Sequence, residues 1–267
     1  MEGRGIRIAL RVWAIGVMAF VYIPLAVIVM ASFDSSRITS WPIQDYSTKW
    51  YHLAWGDERM REALVNSLTV GLRATVIALL LGSAVAFALH RFRFFGKDAL
   101  SFLLVLPIAL PGIITGLSLL STISYLNITP SLWTVVVGHA TFCIVVVYNN
   151  AIARLRRTSM SLEEASADLG ADSWQTFRFV TFPQLRSALI AGALLAFALS
   201  FDEVIVTTFT AGAGVETLPL WILNNLSRPN QLPVVNVTAV IVILLSAIPV
   251  YFAQRLMDEP AGVRGAR

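Results

Sequence analysis

Charge is what this chain lacks most. Of its 267 residues only 13% are Asp, Glu, Lys or Arg, and 57% are hydrophobic. A soluble domain carries about 25% charged residues, so the deficit excludes an ordinary water-soluble globule and makes lipid the solvent for much of the chain. Cysteine is nearly absent. Cys143 stands alone in an apolar run, which excludes an intrachain disulfide and any cysteine-based metal centre and leaves packing as its role. No G-x-x-x-x-G-K-[ST] loop occurs: the one Gly-Lys pair, Gly96-Lys97, is followed by Asp98 and has Arg91 where the leading glycine belongs. H-E-x-x-H and G-x-S-x-G are missing as well. The chain is therefore expected to be no enzyme, to hold no metal or cofactor of its own, and to hydrolyse no ATP. Its net charge of +4 is modest; the distribution of charge matters more, and no nucleic-acid partner is expected.

What is present is long apolar runs. Six stretches suffice to cross about 30 Å of hydrocarbon at 1.5 Å per residue, near residues 8–32, 64–89, 99–122, 131–153, 184–208 and 233–256. The fold class expected is an all-α integral membrane protein of six transmembrane helices in one permease-like domain over 1–267. The first run, Val12 to Met30, is longer than a signal-peptide core and is followed by no A-x-A site, so it reads as a span. Lys and Arg divide fourteen to five between the two sets of connections, with Arg73 left inside a span. The richer set holds both termini and the connection 158–183, which places these in the cytoplasm.

Several residues are costly or unusual for their surroundings. Asp202 and Glu203 lie together in the fifth run, and a carboxylate at membrane depth costs a few kcal/mol, about 2.5–3.5 on insertion scales, so it is expected to face the bundle interior and mark a site. On a continuous helix the two point about 100° apart, and Asp202 is the choice for the pathway. Arg73, at comparable depth in the second run, is its candidate ion-pair partner. Two prolines four apart, Pro107 and Pro111, are expected to bend the third span and make it line a pathway. The first outer connection carries Trp41, Tyr46, Trp50, Tyr51 and Trp55. It is an interfacial aromatic belt, a docking or cation-binding surface, or both. His139 reads first as a histidine hydrogen-bonded to a neighbour. Thr217 to Asn225 is too short to cross and is expected to be a short outer or re-entrant helix.

The most polar long segment between apolar runs is Ser161 to Pro183, SLEEASADLGADSWQTFRFVTFP. It reads as two short helices about a turn. Ser161 to Glu164 and Asp172 to Gln175 both have the spacing of a capping box. Gly170 supplies the left-handed turn, and Pro183 is expected to stop the second helix and open the next. Glu164-Ala165-Ser166, then Gly170, then Val180-Thr181-Phe182-Pro183 resembles the EAA motif of ABC-importer permeases, with Ser for the second Ala and Phe for the usual Leu. Similarity to the spermidine/putrescine class of these permeases extends over nearly the whole chain. It is carried by Lys49-Trp50-Tyr51, Asn66-Ser67-Leu68, Phe94-Phe95-Gly96-Lys97, Leu106-Pro107, Gly138 to Cys143, and Leu199 to Val204 with Thr217-Leu218-Pro219.

The resemblance implies a type I importer permease fold in the bacterial inner membrane. Its implied partners are a dimeric ABC ATPase that binds ATP and Mg, a second permease (usually forming a heterodimer), and a periplasmic or lipid-anchored binding protein. It also implies that the loop couples to the ATPase through Glu163, Glu164, Ala165, Ser166, Leu169, Gly170, Trp174, Phe177 and Pro183. Asp202, Glu203, Arg73, Trp50, Tyr51, Pro107 and Pro111 are the candidates for the substrate pathway or gate, with a polyamine as cargo. Two alternatives stay open: another amine, amino-acid-like or anionic solute carried by the same assembly, and a secondary transporter or channel working alone.

Overall fold

The computed structural model describes residues 4–37, 42–92 and 94–257. Trp41 of the aromatic connection lies outside them. The described residues are helical apart from turns and one isolated antiparallel bridge, Asp34 to Tyr46. Five helices are long and apolar enough to cross a membrane: Gly5–Ala31, Glu58–Arg91, Leu132–Leu155, Ser173–Phe201 and Pro229–Ala247. A sixth crossing requires Lys97–Ala109 and Gly112–Tyr125 together, which meet at 105°.

The chain forms two compact units. The first takes Met1–Arg61 and Trp221–Leu245. In it, helix α1 (Arg4–Ala31) is exposed along most of its length, as expected of a lipid-facing span. A short helix α2 (Lys49–Gly56) follows the bridge. Trp50 on α2 is buried and its Nε1 donates to the Asp34 carbonyl at 2.7 Å. The Tyr51 hydroxyl lies 2.8 Å from Ser32 Oγ, and its ring packs at 5.2 Å from Phe33.

The second unit takes Glu62–Leu220 and Ser246–Arg267. Its axis is α6 (Leu132–Leu155), the most buried of the spans. Helix α3 (Glu58–Arg91) packs along α6 in three apolar clusters. One is built on Val70, Val135 and Val136, one on Ala74, Ala78, Cys143, Val147 and Ala196, and one on Ala86, Leu89, Tyr148, Ile152, Leu155 and Leu185. Small residues set the approach: a Cβ on Gly82 would lie 2.8 Å from the Ile144 carbonyl. Close backbone approach through small residues is how membrane helices gain contact when lipid is as apolar as leucine. Cys143 packs within the second cluster, its Sγ 3.3 Å from the Ala196 carbonyl.

The third span departs from the expected bent helix. Helix α4 (Lys97–Ala109) retains Pro107 in its interior, and the break falls at Leu110 and Pro111. A residue before proline is driven out of the helical region; Leu110 accordingly takes φ −80°, ψ 144° and Pro111 φ −56°, ψ 136°. Helix α5 (Gly112–Tyr125) then restarts. Its Gly116 lies directly against the Phe209 ring, which leaves no room for a Cβ there.

Candidate functional site: a two-helix loop joined to a broken span

Helix α7 (Met160–Asp168) opens the loop. The sequence placed its cap at Ser161 with Glu164 reaching back. Instead Ser159 is extended and its Oγ accepts from Ser161 N–H at 3.3 Å, so Ser161 is already inside the helix and Glu164 does not close a box. The far end matches the expectation. Gly170 has φ +82°, its N–H donates to the Ala167 carbonyl (2.9 Å), and Ala171 N–H donates to that of Ser166 (3.1 Å). This is the Schellman pairing that satisfies the last carbonyls of a helix. The second box is also formed: Asp172 Oδ1 accepts from Gln175 N–H at 2.8 Å and Gln175 Oε1 from Asp172 N–H at 2.9 Å. It starts α8 (Ser173–Thr176).

Pro183 does not stop this helix. A π-helical turn, Phe177–Thr181, leads from α8 into α9 (Phe182–Phe201), and Ser173–Phe201 runs as one helix. Phe182 N–H donates to the Phe177 carbonyl five residues back. The wider turn absorbs the donor that proline lacks, and Pro183 occupies the first turn of α9, where no donor is needed.

The loop is bound to itself and to α3. Ser166 Oγ lies 3.0 Å from Thr176 Oγ1, linking α7 to α8. Thr181 Oγ1 donates to Glu163 Oε1 at 2.8 Å, and the other Glu163 oxygen is 3.7 Å from Arg91. Phe177 sits among Phe87, Trp174 and Phe182, with ring centroids 5.6, 5.7 and 6.0 Å away. Three of the coupling candidates, Glu163, Ser166 and Phe177, are thus engaged inside the loop. Glu164, Ala165, Leu169 and Gly170 are exposed, and Trp174 keeps 64% and Leu169 89% of its surface free.

At its other end α9 stops at Phe201, not near 208. Asp202 closes it, with N–H to the Ala198 carbonyl at 3.3 Å. Helix α10 (Ile205–Thr210) restarts after Val204. The run Val204-Ile205-Val206-Thr207-Thr208 is β-branched throughout, which weakens a continuous helix. Glu203 Oε1 accepts from Val206 N–H at 2.9 Å and so caps the restart. Asp202 is exposed and accepts no side-chain hydrogen bond from another residue among the described ones, whereas Glu203 is half-buried. Both carboxylates lie in the break, Asp202 closing α9 and Glu203 capping α10, so no helical rotation sets them apart.

The residue that spans this break is His139. It is fully buried on α6, with Nδ1 2.8 Å from Ser200 Oγ on α9 and Nε2 2.9 Å from Thr207 Oγ1 on α10. Thr207 Oγ1 donates to the Glu203 carbonyl at 3.0 Å. Its oxygen therefore accepts from His139 Nε2–H, and Nδ1 accepts from Ser200; the network assigns this tautomer. The expectation of a hydrogen-bonded neighbour for His139 holds, and the structure adds a second. The second partner was hidden because an apolar window averages over the β-branched run that marks the break.

The other pathway candidates fall elsewhere. Arg73 lies with its guanidinium 4.9 Å over the Trp133 ring. No salt bridge among the described residues joins it to Asp202 or Glu203, so the expected ion pair is replaced by a cation–π contact. Trp50 and Tyr51 have the internal partners described above, and Lys49 Nζ sits 4.7 Å over the Trp50 ring. Pro107 and Pro111 belong to the broken pair α4 and α5. Two stretches that carried the family resemblance do meet: Asn66 Nδ2 donates to the Glu216 carbonyl (3.0 Å), and Ser67 Oγ accepts from Leu218 N–H (2.8 Å), at the start of α11 (Leu218–Leu226).

A helical membrane protein with a rigid, partly uncovered two-helix loop continuous with a broken span has the makings of a transporter subunit driven from outside its own chain. Residues 67–259 match the family model described as "Binding-protein-dependent transport system inner membrane component", and the chain belongs to that family of membrane permeases. It is 35% identical over 251 residues to the spermidine/putrescine transport system permease protein PotC of Escherichia coli (strain K12), covering 93% of this chain and 94% of that one. It is likewise 35% identical over 246 residues to the putrescine transport system permease protein PotI of the same organism, covering 89% and 86%. Among solved structures it shares the fold of a bacterial alginate ABC transporter crystallised with its alginate pentasaccharide-bound periplasmic protein. The TM-score there is 0.72, at 13% identity and over 98% of this chain and 96% of that one.

Proposed function

We propose that the chain is the permease subunit of an ATP-driven importer that moves polyamines, putrescine or spermidine, into the cytoplasm. The observation that carries the proposal is the single helix Ser173–Phe201, which starts in the loop and ends at Asp202. A displacement of the loop acts on one end of that helix, and the other end carries the one exposed carboxylate at the break.

The phosphate chemistry belongs to a separate ATPase dimer that binds ATP and Mg, since this sequence has no loop to hold phosphates. Both termini and the 158–183 connection face the cytoplasm, in keeping with the distribution of Lys and Arg. There the uncovered Leu169 and Trp174, with Glu164 and Ala165, meet a groove of the ATPase. Closure of the ATPase dimer moves the loop as a block, because Ser166–Thr176 and Glu163–Thr181 bind it together. The spans then rock between outward- and inward-facing states. A binding protein delivers cargo at the outer face, and a second, different permease completes the pathway. A polyamine is a flexible polycation, and Asp202 lowers the cost of stripping its water.

The test is reconstitution of the complete complex with its binding protein in liposomes loaded with ATP. Uptake of labelled putrescine or spermidine that stops without ATP is the expected result. ATP-driven uptake of a different amine or an anion alone would reassign the cargo, and uptake by the isolated chain would overturn the assembly.

A further inference from the structure

At the loop-proximal end of α6 the second unit holds an open cavity of about 370 Å³, lined by Asn149, Asn150, Ala153, Arg154, Arg157 and Ala188. Five of the six come from α6 and the turn after it, at spacings that share one helix face; Ala188 comes from α9. The two alanines leave the space. Arg154 is fixed by its Nε, which donates to the Gln184 carbonyl at 2.8 Å, so its terminal nitrogens are held beside the cavity. Asn150 Nδ2 is used by the Val146 carbonyl at 2.9 Å. The Arg157 and Asn149 side chains have no hydrogen-bond partner among the described residues. No carboxylate lines the cavity.

Two guanidinium groups and an amide thus face an open bowl with no carboxylate among its lining residues, at the end of a helix long and apolar enough to span a membrane. If Leu132–Leu155 spans the bilayer, its end lies at the level of the lipid phosphates, and basic pockets between membrane helices bind such headgroups. A guanidinium fork matches phosphate oxygens two at a time. We infer that this cavity is a binding site for a phosphate ester, filled by the headgroup phosphate of an anionic lipid. The site is distinct from the cargo pathway proposed above, because two arginines repel a polycation. It requires only that α6 spans the membrane, and not the identity of the cargo.

Native mass spectrometry of the full-length chain in detergent tests this, with phosphatidylglycerol, phosphatidylcholine and inorganic phosphate as probes. One phosphatidylglycerol is expected to stay bound per chain where phosphatidylcholine does not. Arg157→Gln, which removes no internal bond, is expected to weaken retention about tenfold, the loss of one charge-assisted hydrogen bond. Arg156→Gln, the same charge change one residue away and off the cavity wall, leaves retention unchanged. Equal losses in the two variants would reduce the effect to general charge and overturn the site. So would equal retention of the two lipids, inorganic phosphate binding with no lipid retained, or crosslinking of Arg157 to a protein partner in place of lipid.

Discussion

Replacing Gly170 with a graded series of residues isolates the geometry of the loop from its bulk. At φ +82° the residue is left-handed, and a Cβ built there meets nothing within 4 Å. The whole penalty is therefore in the backbone. Asn tolerates this region best among non-glycine residues. Ala costs about 1–2 kcal/mol, and a β-branched Val stands at the upper end of about 1–3 kcal/mol. Against this the turn holds two Schellman bonds and the Ser166–Thr176 pair, each worth about 0.5–1.5 kcal/mol. Valine strain is comparable with that sum, so the turn opens; asparagine strain is not, so it holds. Transport is expected to fall in the order Gly, Asn, Ala, Val, with Gly170→Val inactive and its ATPase activity no longer stimulated by loaded binding protein. Membrane insertion stays normal throughout, since the turn lies outside the clusters joining α3, α6 and α9. The assay is paired uptake and ATP hydrolysis in liposomes. Normal transport by Gly170→Val, or an Asn variant as damaged as Val, would refute the reasoning.

Asp202→Asn is expected to slow polyamine uptake with the binding protein's affinity unchanged, whereas Glu203→Gln retains an oxygen to cap Val206 N–H and stays near normal; the reverse ranking in uptake assays would exchange their roles. His139→Ala removes both hydrogen bonds across the break and leaves Ser200 without its partner, lowering stability by about 1–3 kcal/mol. Thermal unfolding in detergent reads this, and an unchanged midpoint would show that His139 does not hold the break. Glu164→Lys should weaken co-purification of the ATPase while Glu163→Gln does not, because Glu164 is exposed and Glu163 points inward to Thr181 and Arg91.

Much of the fold was open to a reader of the sequence, because long apolar runs are a local signal. Gly170 and the Asp172–Gln175 box were legible for the same reason: each depends on residues within a few positions. The errors fell where a distant partner or a competing local choice decided. Ser159 and Ser161 both can cap, and the extended backbone at 159 settled the start. Pro183 read as a stop because a π turn has no marked sequence pattern. The break after Phe201 left a trace in the β-branched run 204–208, but an apolar window averages over it. Arg73 was matched to Asp202 by depth alone, and depth carries no information about which way a side chain turns; Trp133 lay nearer.

The most direct measurement is a photoactivatable crosslinker placed at Leu169 in the assembled complex. Leu169 keeps 89% of its surface free, and Tyr125, at the end of α5, keeps 85% and serves as an equally exposed control. Coupling through the 158–183 loop predicts an adduct between Leu169 and the ATPase chain and none from Tyr125. Adducts from Leu169 to lipid alone, or to no protein, would contradict it.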